Sequence, residues 1–220
     1  MKRRVLVFLW VPFVAFMLWP ELEVPFESML QSTVMVSDSY GHATGVMIED
    51  GLIVTAGHVV ENVPTYVQFC DDTVAEVTGI WRHPEYDVGF LWVDPNDWAC
   101  AALTSSDVLK LGDEVFHVGT PLDPGLRHSL FKGIVTYLMR DWDVWEDGMQ
   151  IDAWAAPGCS GGPVFDSQGR LVGIVVGGPN RNGACAVIVE TSEHIQQALE
   201  DYEAEKDKGS SQAQGVISKG

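Results

Sequence analysis

From Ser32 to Glu190 the chain reads as short runs of β-branched and aromatic residues punctuated by Gly, Pro, Asp and Asn, and this rhythm limits the fold more than any other feature. The runs are Thr44–Ile48, Leu52–Thr55, Thr65–Phe69, Val88–Val93, Glu114–Val118, Leu130–Leu138, Leu171–Val176 and Ala184–Val189. Runs this short and this frequent predict an all-β barrel or sandwich and argue against alternating βαβ units, whose strands are separated by helical crossovers. No repeat of 20–50 residues and no low-complexity stretch interrupts the pattern. Apolar residues make up 46% of the 220 and charged residues 20%, enough to build a core and too apolar for a mostly disordered protein.

The two ends differ from this middle. Lys2-Arg3-Arg4 precedes an uncharged stretch from Val5 to Pro20, a basic start followed by an apolar segment. The stretch is slightly short for a spanning helix and slightly long for a signal-peptide core. Glu21-Leu22-Glu23-Val24-Pro25 lacks the small residues that a signal peptidase prefers, which favours an uncleaved anchor over a cleaved peptide. Either way residues 1–26 form an export signal or membrane anchor. The basic residues stay cytoplasmic and the remainder is placed on the extracytoplasmic side. At the other end, Ile195, Ala198, Leu199 and Tyr202 recur at helical spacing after Thr191 or Ser192 as N-cap, predicting one C-terminal helix to Lys206. Residues 207–220 offer little to bury and are expected to form a disordered tail. Residues 27–206 form the folded domain.

Charge and cysteine usage exclude several classes of function. Thirty-one acidic against 13 basic residues leave a net charge of −18, which repels nucleic-acid phosphates. Cys70, Cys100, Cys159 and Cys185 form no C-x-x-C pair, which disfavours a zinc or thioredoxin-type site. Disulfides and buried free thiols remain equally open. The acidic cluster Asp141–Gly148 lacks the spacing of a calcium loop and reads as a solvated loop between strands, its tryptophans packed on the barrel or touching substrate or membrane.

Chemistry concentrates in Ala156-Pro157-Gly158-Cys159-Ser160-Gly161-Gly162-Pro163. A serine among glycines suits a nucleophile, because small neighbours let the chain turn sharply and leave N–H groups free to face a developing oxyanion. Taken alone, the G-x-S-x-G pattern also fits the elbow of an α/β-hydrolase or a turn with no chemistry. Two upstream segments narrow the choice. Thr55-Ala56-Gly57-His58 sets a histidine directly after an apolar strand, and Tyr86-Asp87-Val88-Gly89 sets a carboxylate at the head of another. A buried Asp needs a partner, and an imidazole Nδ1–H is one. In an α/β-hydrolase the histidine follows the serine, where only His194 is available. The order found here, His58, Asp87, Ser160, is the chymotrypsin-type order.

With these motifs, together with Gly45-Val46-Met47-Ile48, Gly112-Asp113-Glu114-Val115, Gly119-Thr120-Pro121, Lys132-Gly133-Ile134-Val135 and Gly169-Arg170-Leu171-Val172-Gly173-Ile174, the chain resembles the trypsin-like serine proteases, and among them the HtrA/Deg branch. The resemblance runs from about Gly45 to Ala198 and implies two packed six-stranded antiparallel β-barrels with a cleft between them and a C-terminal helix. It also implies a serine endopeptidase with no cofactor and no metal, acting on a protein or peptide. Ser160 would be the nucleophile, His58 the general base and Asp87 the group that orients it, with the N–H groups of Gly158 and Ser160 as oxyanion hole. The alternative is a catalytically silent relative that binds peptides in the same cleft.

Where the chain departs from its relatives, the expectations change. Cys159 stands where digestive enzymes carry the aspartate that pairs with a new N-terminus, so activation by N-terminal cleavage is not expected. Gly57 replaces the more usual alanine. No C-terminal PDZ domain is expected, and relatives of this branch often form trimers through N-terminal segments. The resemblance places the floor of the primary specificity pocket at Trp154 and its walls at Val176 and Gly178. An aromatic floor predicts small or medium aliphatic residues at the cleavage site; a shift of the loop by one residue would instead make Trp154 part of the core.

Overall fold

The computed structural model describes residues 24–38, 40–142, 145–178 and 186–217. The N-terminal stretch expected as an export signal or membrane anchor lies, up to position 23, outside the described residues. Among the described residues no helix is long and apolar enough to cross a membrane.

After a short helix α1 (Phe26–Ser32), the first half builds β1 (Thr33–Ser37), β2 (His42–Glu49), β3 (Leu52–Ala56), the one-turn helix α2 (Gly57–Val60), β4 (Tyr66–Gln68), β5 (Val74–Glu76), β6 (Gly79–Arg82) and β7 (Val88–Trp92). These strands form one antiparallel sheet in the order β5-β4-β1-β2-β3-β7-β6. The second half builds β8 (Glu114–Gly119), β9 (Ser129–Trp142), β10 (Trp145–Asp152), β11 (Pro163–Asp166), β12 (Leu171–Gly177) and β13 (Val187–Thr191). They close into a six-stranded barrel in the order β10-β13-β12-β11-β8-β9.

The expectation of two six-stranded bodies is met as a closed barrel in the second half and, in the first, as a half-barrel sheet whose sixth strand is divided into β5 and β6. The extra strand has a simple origin. β5 and β6 are consecutive, separated only by Val77 and Thr78, yet they sit at opposite edges of the sheet. Val77 N–H donates to the Thr65 carbonyl beside β4, and Thr78 N–H donates to the Trp92 carbonyl of β7. One bent segment therefore reaches across from one edge to the other and is divided at the bend.

Side-chain alternation divides the core in two. In the barrel, Val115, Val164, Val172, Val187 and Val189 point inward. Their neighbours Phe116, Val118, Phe165, Leu171 and Ile188 point outward into a second cluster shared with Val34, Val46, Ile53 and Phe90 of the first sheet. A fully buried Phe90 or Phe165 contributes on the order of 1.5–3 kcal/mol, so this shared layer holds the halves firmly together.

The C-terminal helix α3 (Ser192–Ile217) packs on β7, β12 and β13. Ile195 and Ala198 are fully buried, and Leu199 and Tyr202 pack beside them. The helix continues past Lys206 to Ile217, into the stretch expected as a tail; Lys208, Gln212, Ala213 and Gln214 favour a helix, Gly209 and Gly215 disfavour it, and no proline stops it. Of the acidic cluster expected as a loop, the described residues 141–142 and 145–148 belong to the paired strands β9 and β10, with Trp142 opposite Trp145 and Arg140 opposite Gly148. Long backbone pairing there outweighs the weak strand propensity of its aspartates.

Candidate active site

β3 and β7 are direct neighbours, and their register sets Ala56 against Val88. His58, in the first turn after β3, therefore faces Asp87, the residue before β7. Both carboxylate oxygens are used: Asp87 Oδ1 accepts from the His58 backbone N–H at 2.8 Å, and Oδ2 lies 2.8 Å from His58 Nδ1. The contact assigns the proton to Nδ1 and leaves Nε2 as an acceptor when the ring is neutral. The Asp87 side chain is 14% exposed and that of His58 is 42% exposed, so the acid is sheltered while the ring reaches the cleft. Gly57 explains itself at the same point: a Cβ there would lie 3.0 Å from Asp87 Oδ1 and 3.1 Å from the Val88 nitrogen.

Ser160 comes from the other half of the molecule, in the turn before β11. Gly158 and Gly161 on either side hold positive φ of 100° and 79°, a region open chiefly to glycine. The turn is fastened to both bodies. Gly161 N–H donates to the Val175 carbonyl of β12 at 2.6 Å, and Thr44 N–H of β2 donates to the Ser160 carbonyl at 2.9 Å. Thr44 also supplies its hydroxyl, which accepts from Thr120 N–H at 3.0 Å and donates to the Gly158 carbonyl at 2.7 Å. His42 Nε2 lies 3.0 Å from the Thr120 carbonyl and must donate to it. Among the described residues, the N–H groups of Gly158 and Ser160 donate to no intramolecular acceptor.

His58, Gly158, Ser160, His42 and Asn62 line one cleft of about 320 Å³. Among the described residues Ser160 Oγ has no hydrogen-bond partner, so His58 and Ser160 share the cleft without a closed bond between them. Bonds of this kind commonly tighten only when substrate is present.

Trp154, Val176 and Gly178 do not line that cleft. Trp154 is 46% exposed, and its carbonyl accepts from His117 Nε2 at 2.8 Å. Its ring lies 5.3 Å from Phe131, which stacks in turn on His117. Val176 is buried in the shared core, at a bulge where β12 shifts register on β13. Gly178 lies against the Ala186 carbonyl. His117 is fully buried, and desolvation pushes its pKa down to about 4, so its ring is neutral at ordinary pH. Cys159, next to the nucleophile, is a buried thiol whose pKa burial raises. Cys70 and Cys100 are exposed free thiols, and Cys185 lies outside the described residues. Among the described residues no group of three His, Cys, Asp or Glu side chains is placed to hold a metal ion.

Two antiparallel β bodies joined through a common core, with a bonded histidine–aspartate pair on one and a glycine-flanked serine on the other, define the chymotrypsin-like fold. Residues 43–174 match the model of the trypsin-like peptidase domain, and the chain belongs to that family. A probable periplasmic serine endoprotease, DegP-like, from Pseudomonas fulva is 36% identical over 132 residues, and a protein of the same description from Halomonas elongata is 35% identical over 134. Each match covers 59% of this chain and 27% of the relative, so the chain spans about a quarter of the length of these curated relatives. Among solved structures, an HtrA-type protease AlgW with tripeptide superposes with a TM-score of 0.70 at 22% identity, covering 84% of this chain and 64% of that one.

Proposed function

We propose that the protein is a serine endopeptidase that cleaves peptide bonds through an acyl-enzyme, with Ser160, His58 and Asp87 as its triad. The observation that carries this reading is the double attachment of His58 to Asp87, through its backbone N–H and through Nδ1, beside a serine and a positive-φ glycine in one cleft. Ser160 Oγ attacks the scissile carbonyl as His58 Nε2 takes its proton. The carbonyl oxygen becomes an oxyanion and is held by the N–H groups of Gly158 and Ser160. Collapse expels the amine, which takes the proton from His58, and the acyl group stays on Oγ. Water, deprotonated by His58, then releases the acid in the same manner. Asp87 keeps the imidazole in the needed tautomer and stabilises its charged form. A single oxyanion donor of this kind is typically worth about 2.7–4 kcal/mol of barrier.

The substrate is a protein or peptide, and the half-exposed Trp154 is proposed to floor the primary pocket and favour small or medium aliphatic residues there. The periplasmic description of the relatives and the basic-then-apolar start of the chain support action on the extracytoplasmic side, attached to the membrane through the N-terminal segment.

Labelling of the full-length protein with a fluorophosphonate tests the core of the proposal. The expected result is modification at Ser160 that disappears in Ser160→Ala and falls steeply in His58→Ala. A folded wild-type protein that takes up no label is a silent peptide-binding relative instead.

A further inference from the structure

Beside the cleft, the residue before Asp87 is held in an unusual way. The Tyr86 ring is sandwiched between two imidazoles, His83 at 4.6 Å with 10° between planes and His194 at 4.1 Å with 6°. His194 belongs to α3, the helix whose part in the chemistry the triad leaves unassigned. Its Nδ1 lies 2.5 Å from Oε1 of the buried Glu190. His83 belongs to the turn itself, and its Nδ1 accepts from the N–H groups of Glu85 at 3.1 Å and Tyr86 at 2.8 Å. That leaves the proton on Nε2, which lies 3.1 Å from Oδ2 of Asp201, again on α3. Each face of the Tyr86 ring is therefore tied to the helix, one by contact with His194 and the other through the His83–Asp201 bond.

Packing alone does not require this arrangement. Ile195 and Ala198 are already fully buried, and Tyr202 meets Trp81 and Phe90, so α3 has an apolar seat without His194. Burying Glu190 costs free energy that its partner must offset, which points to a demand for a fixed imidazole at that place.

We propose that α3 is a positioning element for the catalytic carboxylate: His194 and Asp201 hold Tyr86 flat from both sides and thereby set where Asp87 meets His58. This rests on the reading of Asp87 as the acid of the triad. A stacked ring resists tilting and sliding, and Tyr86 and Asp87 share a peptide bond. Displacements of about 1 Å at a reacting group can cost on the order of a hundredfold in rate.

The test uses the full-length protein with His194→Ala, His194→Phe/Glu190→Gln, Asp201→Ala and Ser160→Ala. Two quantities are read: the second-order rate of fluorophosphonate acylation at Ser160, and the downfield proton resonance of His58 Nδ1–H, which needs no turnover. His194→Ala is expected to slow acylation about tenfold and to broaden or shift the His58 resonance. The double variant His194→Phe/Glu190→Gln restores a flat ring without leaving a buried carboxylate unpaired, and is expected to recover to within about threefold of wild type. Asp201→Ala is expected to act in the same direction as His194→Ala, more weakly. A folded His194→Ala with wild-type acylation and a wild-type resonance overturns the proposal, as does a loss of melting temperature with the resonance unmoved. Should His194→Ala fail to fold, an unchanged rate and resonance in Asp201→Ala overturns it. Wild-type protein that does not label removes the triad reading and the proposal with it, whereas a labelled wild type whose His58 resonance is unmoved in His194→Ala overturns the positioning role alone.

Discussion

The two β bodies solve the problem of holding reactive groups differently. In the open first sheet, His58 and Asp87 are adjacent because their strands are adjacent, and their two hydrogen bonds stay within that sheet. In the closed barrel, Ser160 and Gly158 sit in a turn whose own conformation is strained for any residue but glycine, and the turn is braced from outside by Thr44 of the first sheet. The proposed acid–base pair is thus a local product of strand register, whereas the proposed nucleophile and oxyanion donors are a joint product of both bodies. Damage to the first should change protonation chemistry, and damage to the brace should change geometry.

The largest expected effect breaks the local pair. Asp87→Asn keeps the size of the side chain but presents an N–H where His58 Nδ1–H needs an acceptor, so the ring is driven to the wrong tautomer. Peptide hydrolysis at neutral pH is expected to fall about 10⁴-fold with the fold intact, as measured by kcat and by the melting temperature. Loss below tenfold would mean that Asp87 is a turn residue and that the first sheet holds no catalytic pair. A second effect belongs to the barrel. His117 binds a proton at about pH 4 in the folded protein and near its ordinary value of 6.5 when unfolded. Between these values the unfolded chain holds more protons, so stability declines as pH falls from 6.5 and levels off below 4, a total of about 3 kcal/mol. His117→Gln keeps a donor for the Trp154 carbonyl and is expected to flatten that acid limb in denaturant titrations at pH 7, 5.5 and 4. An unchanged limb would place the acid sensitivity elsewhere.

The same contrast explains what could be read from the sequence. His58, Asp87 and Ser160 each sit in a short motif whose neighbours announce a strand end, a strand start and a tight turn, so local chemistry is enough to single them out as candidates. The strands with alternating or β-branched runs were legible for the same reason. Thr44 and Thr120 were not, because their role appears only when positions 114 and 76 residues apart meet. His194 entered the sequence reading only as the wrong histidine for an α/β-hydrolase, and its stack on Tyr86 exists only after α3 folds back on the first sheet. The division of the sixth strand into β5 and β6 is not legible, since nothing local at Val77 and Thr78 shows that the chain crosses from one sheet edge to the other. β1 escaped because it is buried along its whole length and so carries no alternation.

Thr44 offers the smallest effect and the sharpest test, since among the described residues it is the one side chain that bonds to the Ser160 turn from the opposite body. Its hydroxyl takes a proton from Thr120 N–H and gives one to the Gly158 carbonyl, which fixes the peptide plane between Gly158 and Cys159. Thr44→Val preserves the shape and leaves both partners unsatisfied in a buried place, which should lower stability by about 1–3 kcal/mol. If the brace also aims the oxyanion donors, fluorophosphonate acylation should slow about tenfold, less than for loss of a donor outright, because both N–H groups remain and Leu122 N–H still holds the Pro157 carbonyl of the peptide that carries the Gly158 N–H. Thr44→Ser keeps the hydroxyl and should keep most of the rate. A Thr44→Val protein that loses stability but acylates at the wild-type rate would show the barrel turn to be as self-sufficient as the His58–Asp87 pair, and the asymmetry between the two bodies would then be one of fastening and not of chemistry.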